Sequence, residues 1–188
     1  MEINMIKCGR HTYNSDRIEK VYFGNENEHD IIIGNFTSLP SKLRIYTEQG
    51  KGHHYKRSST YPFSTRKYLF NSVKEEEKNF DDFLGGNVII GNDVWIGEHV
   101  TITPGRTIGD GSVIATNSHI VRNVKPYSIV GGNPAKLLKW RFSEAIIKKF
   151  LDLKWWDLED DQINLIMPYL QSVPTIEMFD EIYKILEK

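Results

Sequence analysis

The sequence predicts an all-β solenoid with a C-terminal helical cap, and three observations predict it. Isoleucine recurs every six residues, small or turn-forming residues follow it, and a helical apolar spacing takes over where the repeat ends. The isoleucines stand at 90, 96, 102, 108, 114 and 120, in the blocks VIIGND, VWIGEH, VTITPG, RTIGDG, SVIATN and SHIVRN. Isoleucine is about an eighth of the chain, so six at fixed spacing arise by chance on the order of once in a few hundred thousand trials.

A helix of 3.6 residues per turn would spread these positions around its circumference. Short strands joined by tight corners instead send one side chain per block inward, with Asn-Asp, Pro-Gly or Asp-Gly making the turn. Three blocks then make one coil, stacking Ile90 on Ile108, Ile96 on Ile114 and Ile102 on Ile120. Ile33-Gly34, Leu39 and Ile45 repeat the pattern earlier, out of frame with the later run. Between the two stretches, about residues 50–86, lies a polar and aromatic excursion without the hexad, and a connection of that length is usually functional or disordered. Its KEEEK at 74–78 reads as a solvated face.

Beyond Pro126 the hexad stops. Phe142, Ala145, Ile146, Phe150 and Leu153 fall at helical spacing behind Ser143, a suitable N-cap. Pro168 and Pro174 are expected to break the following helices, whose task would be to cover the open end of the solenoid. The division is therefore a solenoid over 1–140 and a helical appendage over 141–188.

Composition bounds the rest. The chain has 188 residues and a net charge of −1, enough for one core but not for two catalytic domains. Interspersed charges give no global field for nucleic acid or an anionic membrane. A mean hydropathy of −0.44 and the lack of a long apolar run exclude a membrane span. The start MEINMIKCGR has no signal-peptide pattern, so the cytoplasm is the expected compartment. The single cysteine, Cys8, excludes an internal disulfide and is expected to be a small buried hydrophobe.

The blocks resemble those of the hexapeptide-repeat acyltransferases. NDVWIGEHVTITPGRTIGDGSVIATNSHIVRNVKPYSIVGGNPAKLLKWRF at 92–142 and HYKRSSTYPF at 54–63 are similar to the xenobiotic subgroup, which holds streptogramin and chloramphenicol acetyltransferases and related sugar-acetylating enzymes. The resemblance covers about residues 8–158. It implies a left-handed parallel β-helix, a homotrimer with active sites at the subunit boundaries, and acetyl-CoA as co-substrate. The family's catalytic histidine opens the segment ending in Thr-Tyr-Pro-Phe, which on that spacing is His54, with His53 directly before it. Tyr13, His53 and Tyr61 are then candidates for acceptor binding. For coenzyme A, Gly97, Ala115 and Thr116 match the positions of close approach, and Lys125 and Lys136 are candidates for its phosphates. Trp95, beside inward Ile96, should point outward and wall the active site.

Acetyl transfer to a hydroxyl needs a base, donors for the oxyanion and a groove for both substrates. Histidine suits the first, with a reference pKa near 6.5. Cys8 lies far upstream, and no serine or threonine has a visible triad partner, so direct attack by the acceptor is expected rather than a covalent enzyme intermediate. No metal is expected: His99 and His119 occupy different hexad positions and do not converge. The expected acceptor is a hydroxyl of a sugar, a polysaccharide unit or an antibiotic. The short GRHTYNSDRIEKVYFGNENEHD segment and SLPSKL, where the subgroup commonly has a glycine-containing turn, favour the sugar side. The alternatives are N-acetylation of an amino-sugar nucleotide and, less favoured, a non-catalytic binding solenoid, against which Thr101-Ile102-Thr103 occurs once only.

Overall fold

The structure, a computed structural model, describes residues 6–22, 29–48, 56–63, 68–69 and 85–186. Its strands are β1 (Ile6–Cys8), β2 (Ile18–Val21), β3 (Ile31–Ile33), β4 (Leu43–Tyr46), β5 (Val88–Ile90), β6 (Trp95–Ile96), β7 (Val100–Ile102), β8 (Thr107–Ile108), β9 (Val113–Ile114), β10 (His119–Ile120), β11 (Ser128–Gly132) and β12 (Ala135–Trp140). They form three sheets: a first in the order β1-β3-β5-β8, a second β12-β11-β9-β6, and a third β10-β7-β4-β2. From β5 to β10 the chain visits the first, second and third sheets in strict rotation, and neighbouring strands are parallel.

The isoleucine columns are those the spacing predicts. Ile90 pairs with Ile108, Ile96 with Ile114 and Ile102 with Ile120, and each of the six is at most 2% exposed. The earlier stretch joins the same columns. Ile33 pairs with Ile90 and Ile45 with Ile102, each pair 57 positions apart, whereas the later rungs repeat at 18. An insertion of 39 residues therefore accounts for the lost frame. Its ends meet at one point: Glu48 bridges Gly85 in antiparallel fashion, and the Gly86 N–H donates to the Thr47 carbonyl at 3.0 Å. Most of the predicted excursion over 50–86 lies outside the described residues.

The corner between the first and second sheets is a ladder. His11, Phe36, Asp93, Gly111 and Tyr127 all have positive φ there, between 51° and 65°. Beside them the Asn35, Asn92 and Asp110 side chains each accept from the backbone N–H of the rung below, from Arg10, Asn35 and Asn92 respectively. A side chain at Gly34 or Gly91 would run into the Asn92 or Asp110 carbonyl or carboxyl oxygen, which is why small residues follow the strands here.

Three helices follow: α1 (Glu144–Leu153), α2 (Asp160–Leu170) and α3 (Ile176–Ile185). Ser143 caps α1 as expected, accepting from the Ile146 N–H, and Ile146, Phe150 and Leu153 are buried. Three expectations are corrected. The helices lie along the ladder corner rather than over the open end: Phe150 stacks on Tyr127 of the last rung, Trp155 meets Phe36, and Arg10 of the first rung reaches Asp160. The bulky corner residues supply an apolar edge that a periodicity argument does not reveal. Pro168 sits inside α2, where the helix forgoes one i→i−4 hydrogen bond and buried Ile166 holds it to the core. Cys8 is exposed, because it ends the Ile33 column with no described strand beneath it.

Candidate active site

The second sheet carries most of the predicted site. Its outer face runs from Tyr13 through Ser38 to Trp95 and on to Val113 and Ile129. Tyr13 is 54% and Trp95 61% exposed. Trp95 points outward as expected, because its neighbours Val94 and Ile96 fill the interior. At the corner leading to the third sheet, Gly97 lies beneath Ala115 and Thr116. The Gly97 N–H donates to Ile114, and a side chain at Gly97 would collide with the Thr116 backbone and hydroxyl. Gly131 stacks on Ala115 in the next rung. The result is a strip of small residues beside the exposed indole.

At the far end of the sheet, β12 folds back antiparallel on β11. Between this hairpin and the last corner is a cleft of about 330 Å³, lined among others by Arg122, Asn123, Lys125, Lys136, Leu137 and Trp140. Lys125 and Lys136 are thus brought together, and Arg122 joins them. Sequence reasoning missed Arg122, since a lone arginine within the last hexad looks like any solvated cation. All three are exposed, and no ion pair with a described residue neutralises them. Trp95 and β12 are three strand spacings apart in the sheet order, about 14 Å.

His53 and His54 lie outside the described residues. Tyr61 is 43% exposed and packs against Phe63 at 4.9 Å between ring centroids. His99 is exposed at a corner and His119 lies in β10. Among the described residues no three His, Cys, Asp or Glu side chains could share a metal ion, and no helix is long and apolar enough to cross a membrane.

A family model for the bacterial transferase hexapeptide, six repeats, matches residues 87–122. Chloramphenicol acetyltransferase of Escherichia coli is 38% identical over 177 residues, covering 89% of this chain and 82% of that one. The chain belongs to the hexapeptide-repeat acetyltransferases of the xenobiotic subgroup. A probable macrolide acetyltransferase of Lysinibacillus sphaericus is 39% identical over 164 residues, covering 85% of this acetyltransferase and 89% of its relative. A Vibrio cholerae hexapeptide-repeat acetyltransferase, solved in complex with acetyl coenzyme A, superposes with a TM-score of 0.50 at 27% identity, over 73% of this chain and 61% of that one. This acetyltransferase shares with its group the acetyl donor, acetyl-CoA. The cation cleft and small-residue strip are consistent in charge and shape with a phosphorylated, extended donor.

Proposed function

We propose that the protein transfers acetyl from acetyl-CoA to a hydroxyl of an antibiotic-type small molecule, with His54 as general base, and that it works as a homotrimer of left-handed parallel β-helices. The observation that carries this reading is the second sheet: three cations at one end that no described residue neutralises and the exposed Trp95 ring some 14 Å away, joined by Gly97, Ala115 and Gly131. Phosphates would sit among Arg122, Lys125 and Lys136. The extended arm would follow the small residues, where its amides can approach the backbone, and the thioester would end near Trp95.

In the reaction the neutral His54 imidazole takes the proton of the acceptor hydroxyl as its oxygen attacks the thioester carbonyl carbon. The tetrahedral oxyanion collapses, the carbon–sulfur bond breaks, and the imidazolium returns the proton to the departing thiolate. Tyr13, Tyr61 and His53 are proposed to contact the acceptor. The sequence leaned toward a sugar hydroxyl. The curated relatives carry antibiotic names instead, and the exposed Tyr13 and Trp95 rings suit an acceptor with a flat apolar face.

The test is thiol release from acetyl-CoA with chloramphenicol, a macrolide, a streptogramin A and a panel of sugars. Turnover with an antibiotic hydroxyl is the expected result. Turnover confined to sugars would overturn the acceptor, and no turnover with any of them would overturn the reading. A monomeric mass for the active enzyme in solution would contradict the trimer.

A further inference from the structure

Glu48 is a carboxylate that the proposed chemistry leaves unused. It is 4% exposed, and among the described residues it is the one charged side chain in the buried set. Its position is specific: it closes the third-sheet rung and bridges Gly85, so the 49–84 segment leaves and returns across it. Thr47 beside it is held from both sides, donating to Val21 and accepting from Gly86, each at 3.0 Å.

A second insertion converges on the same corner. Residues 22–30 connect β2 to β3 just as 47–87 connect β4 to β5, and they return through His29 and Asp30. The His29 ring occupies the space a side chain at Gly85 would need. Lys20, in β2 beside Ile45, donates to the His29 carbonyl at 3.0 Å. Burial lowers the Lys20 pKa, while Asp30 and Glu48 act in the opposite direction. A half-buried ammonium, a buried carboxylate and the two insertion roots therefore share one corner. Burying a carboxylate costs several kcal/mol unless charges and hydrogen bonds offset it, and a leucine would fill the volume at lower cost. What the charge adds is a fixed geometry.

We propose that Glu48, together with Lys20, is a positioning residue for the acetyl transfer, fixing the root of the segment that carries His53 and His54 and so the placement of the base. The inference rests on the histidine-base reading. A displacement of about 1 Å at a reacting group can cost up to roughly a hundredfold in rate, so a loosened root should be visible in turnover before it is visible in folding.

The experiment compares Glu48→Gln, which keeps the shape and one acceptor oxygen but removes the charge, with Lys20→Met and the double variant, using the full chain and a competent acceptor. Each single variant should lose about tenfold in kcat with unchanged KM for acetyl-CoA; Glu48→Gln should keep its denaturation midpoint, whereas Lys20→Met, which removes a cation facing the buried carboxylate, should lower it. The double variant should be no worse than either single, as coupled partners require. Glu48→Asp should restore part of the loss. Wild-type kcat in both single variants, or a kcat that falls in Glu48→Gln only together with its midpoint, would overturn the inference. If His53→Ala and His54→Ala both kept full turnover, the underlying reading would fail instead. Loss there with wild-type kcat in Glu48→Gln would overturn Glu48 alone.

Discussion

Arg10, on the first rung, meets Asp160, at the start of α2, at 2.7 Å across 150 residues of sequence. The same guanidinium donates to the Trp156 and Leu158 carbonyls, and Asn35 on the next rung donates to Trp156 as well. The helical segment is thereby tied to the sheet end where the chain begins, far from the point where it leaves the last rung.

The clasp ranks two substitutions. Asp160 is 62% exposed, so the ion pair alone contributes little, whereas the carbonyls lose their shielded donor if Arg10 goes. Arg10→Ala should lower the unfolding free energy by about 1–3 kcal/mol, and Asp160→Ala by less than about 1 kcal/mol. Urea denaturation checks the order, and the reverse ranking would refute the clasp.

The interior columns make a second prediction. Ile102 is fully buried and Ile89, on the outer face of the first sheet, is 42% exposed. Ile102→Ala should cost about 2–5 kcal/mol, with activity lost only as folding is lost. Ile89→Ala should stay within about 1 kcal/mol in the same denaturation experiment.

Arg141 and Asp93 carry a pH signature. Arg141 lies 3.2 Å from Asp93, donates to the Gly111 carbonyl at 2.6 Å, and covers the Tyr127 and Phe142 rings. Burial nevertheless holds the Asp93 carboxyl above its usual range, against the pull of Arg141. A carboxyl raised on folding favours the fold below its unfolded value, near 3.9, and loses that contribution as pH rises through the folded value. Asp93→Asn should therefore match or exceed the parent in stability at pH 8, and the gap should shrink toward pH 4. Arg141→Met should cost about 1–3 kcal/mol at pH 8 and less at pH 4. Denaturation midpoints at the two pH values test both signs.

The cation cleft predicts a binding effect without a chemical one. Arg122→Ala, Lys125→Ala and Lys136→Ala should each raise the KM for acetyl-CoA roughly three- to tenfold at low salt, with kcat kept, and the effect should weaken as ionic strength rises. Salt-independent losses confined to kcat would remove these residues from the donor site.

What could be read from the sequence follows from which interactions are periodic. Ile90, Ile96 and Ile102 announce their columns because each strand contributes one inward side chain per block, so spacing and burial are the same fact. Ile33 and Ile45 belong to those columns too, but a 39-residue insertion hides the shared frame until the pairing 57 positions apart is seen. Helix α1 was legible from its apolar stripe and Ser143, since both are local. Its resting place was not, because the partner surface of Phe36 and Tyr127 is built from corner residues on separate rungs. Lys125 and Lys136 could be proposed from one short motif, whereas Arg122 joins them only once β12 turns back. Cys8 was misjudged because composition favours burial, whereas its place on the outermost described rung exposes it.

The central claim is a histidine base in the segment rooted at Glu48, and steady-state turnover of His54→Ala beside His53→Ala tests it most directly. With a competent acceptor, His54→Ala should retain its fold, its assembly and its binding of acetyl-CoA while turnover drops by roughly two to four orders of magnitude, and His53→Ala should change far less. A large loss confined to His53→Ala would move the base by one residue. Near wild-type turnover in both variants would contradict the mechanism.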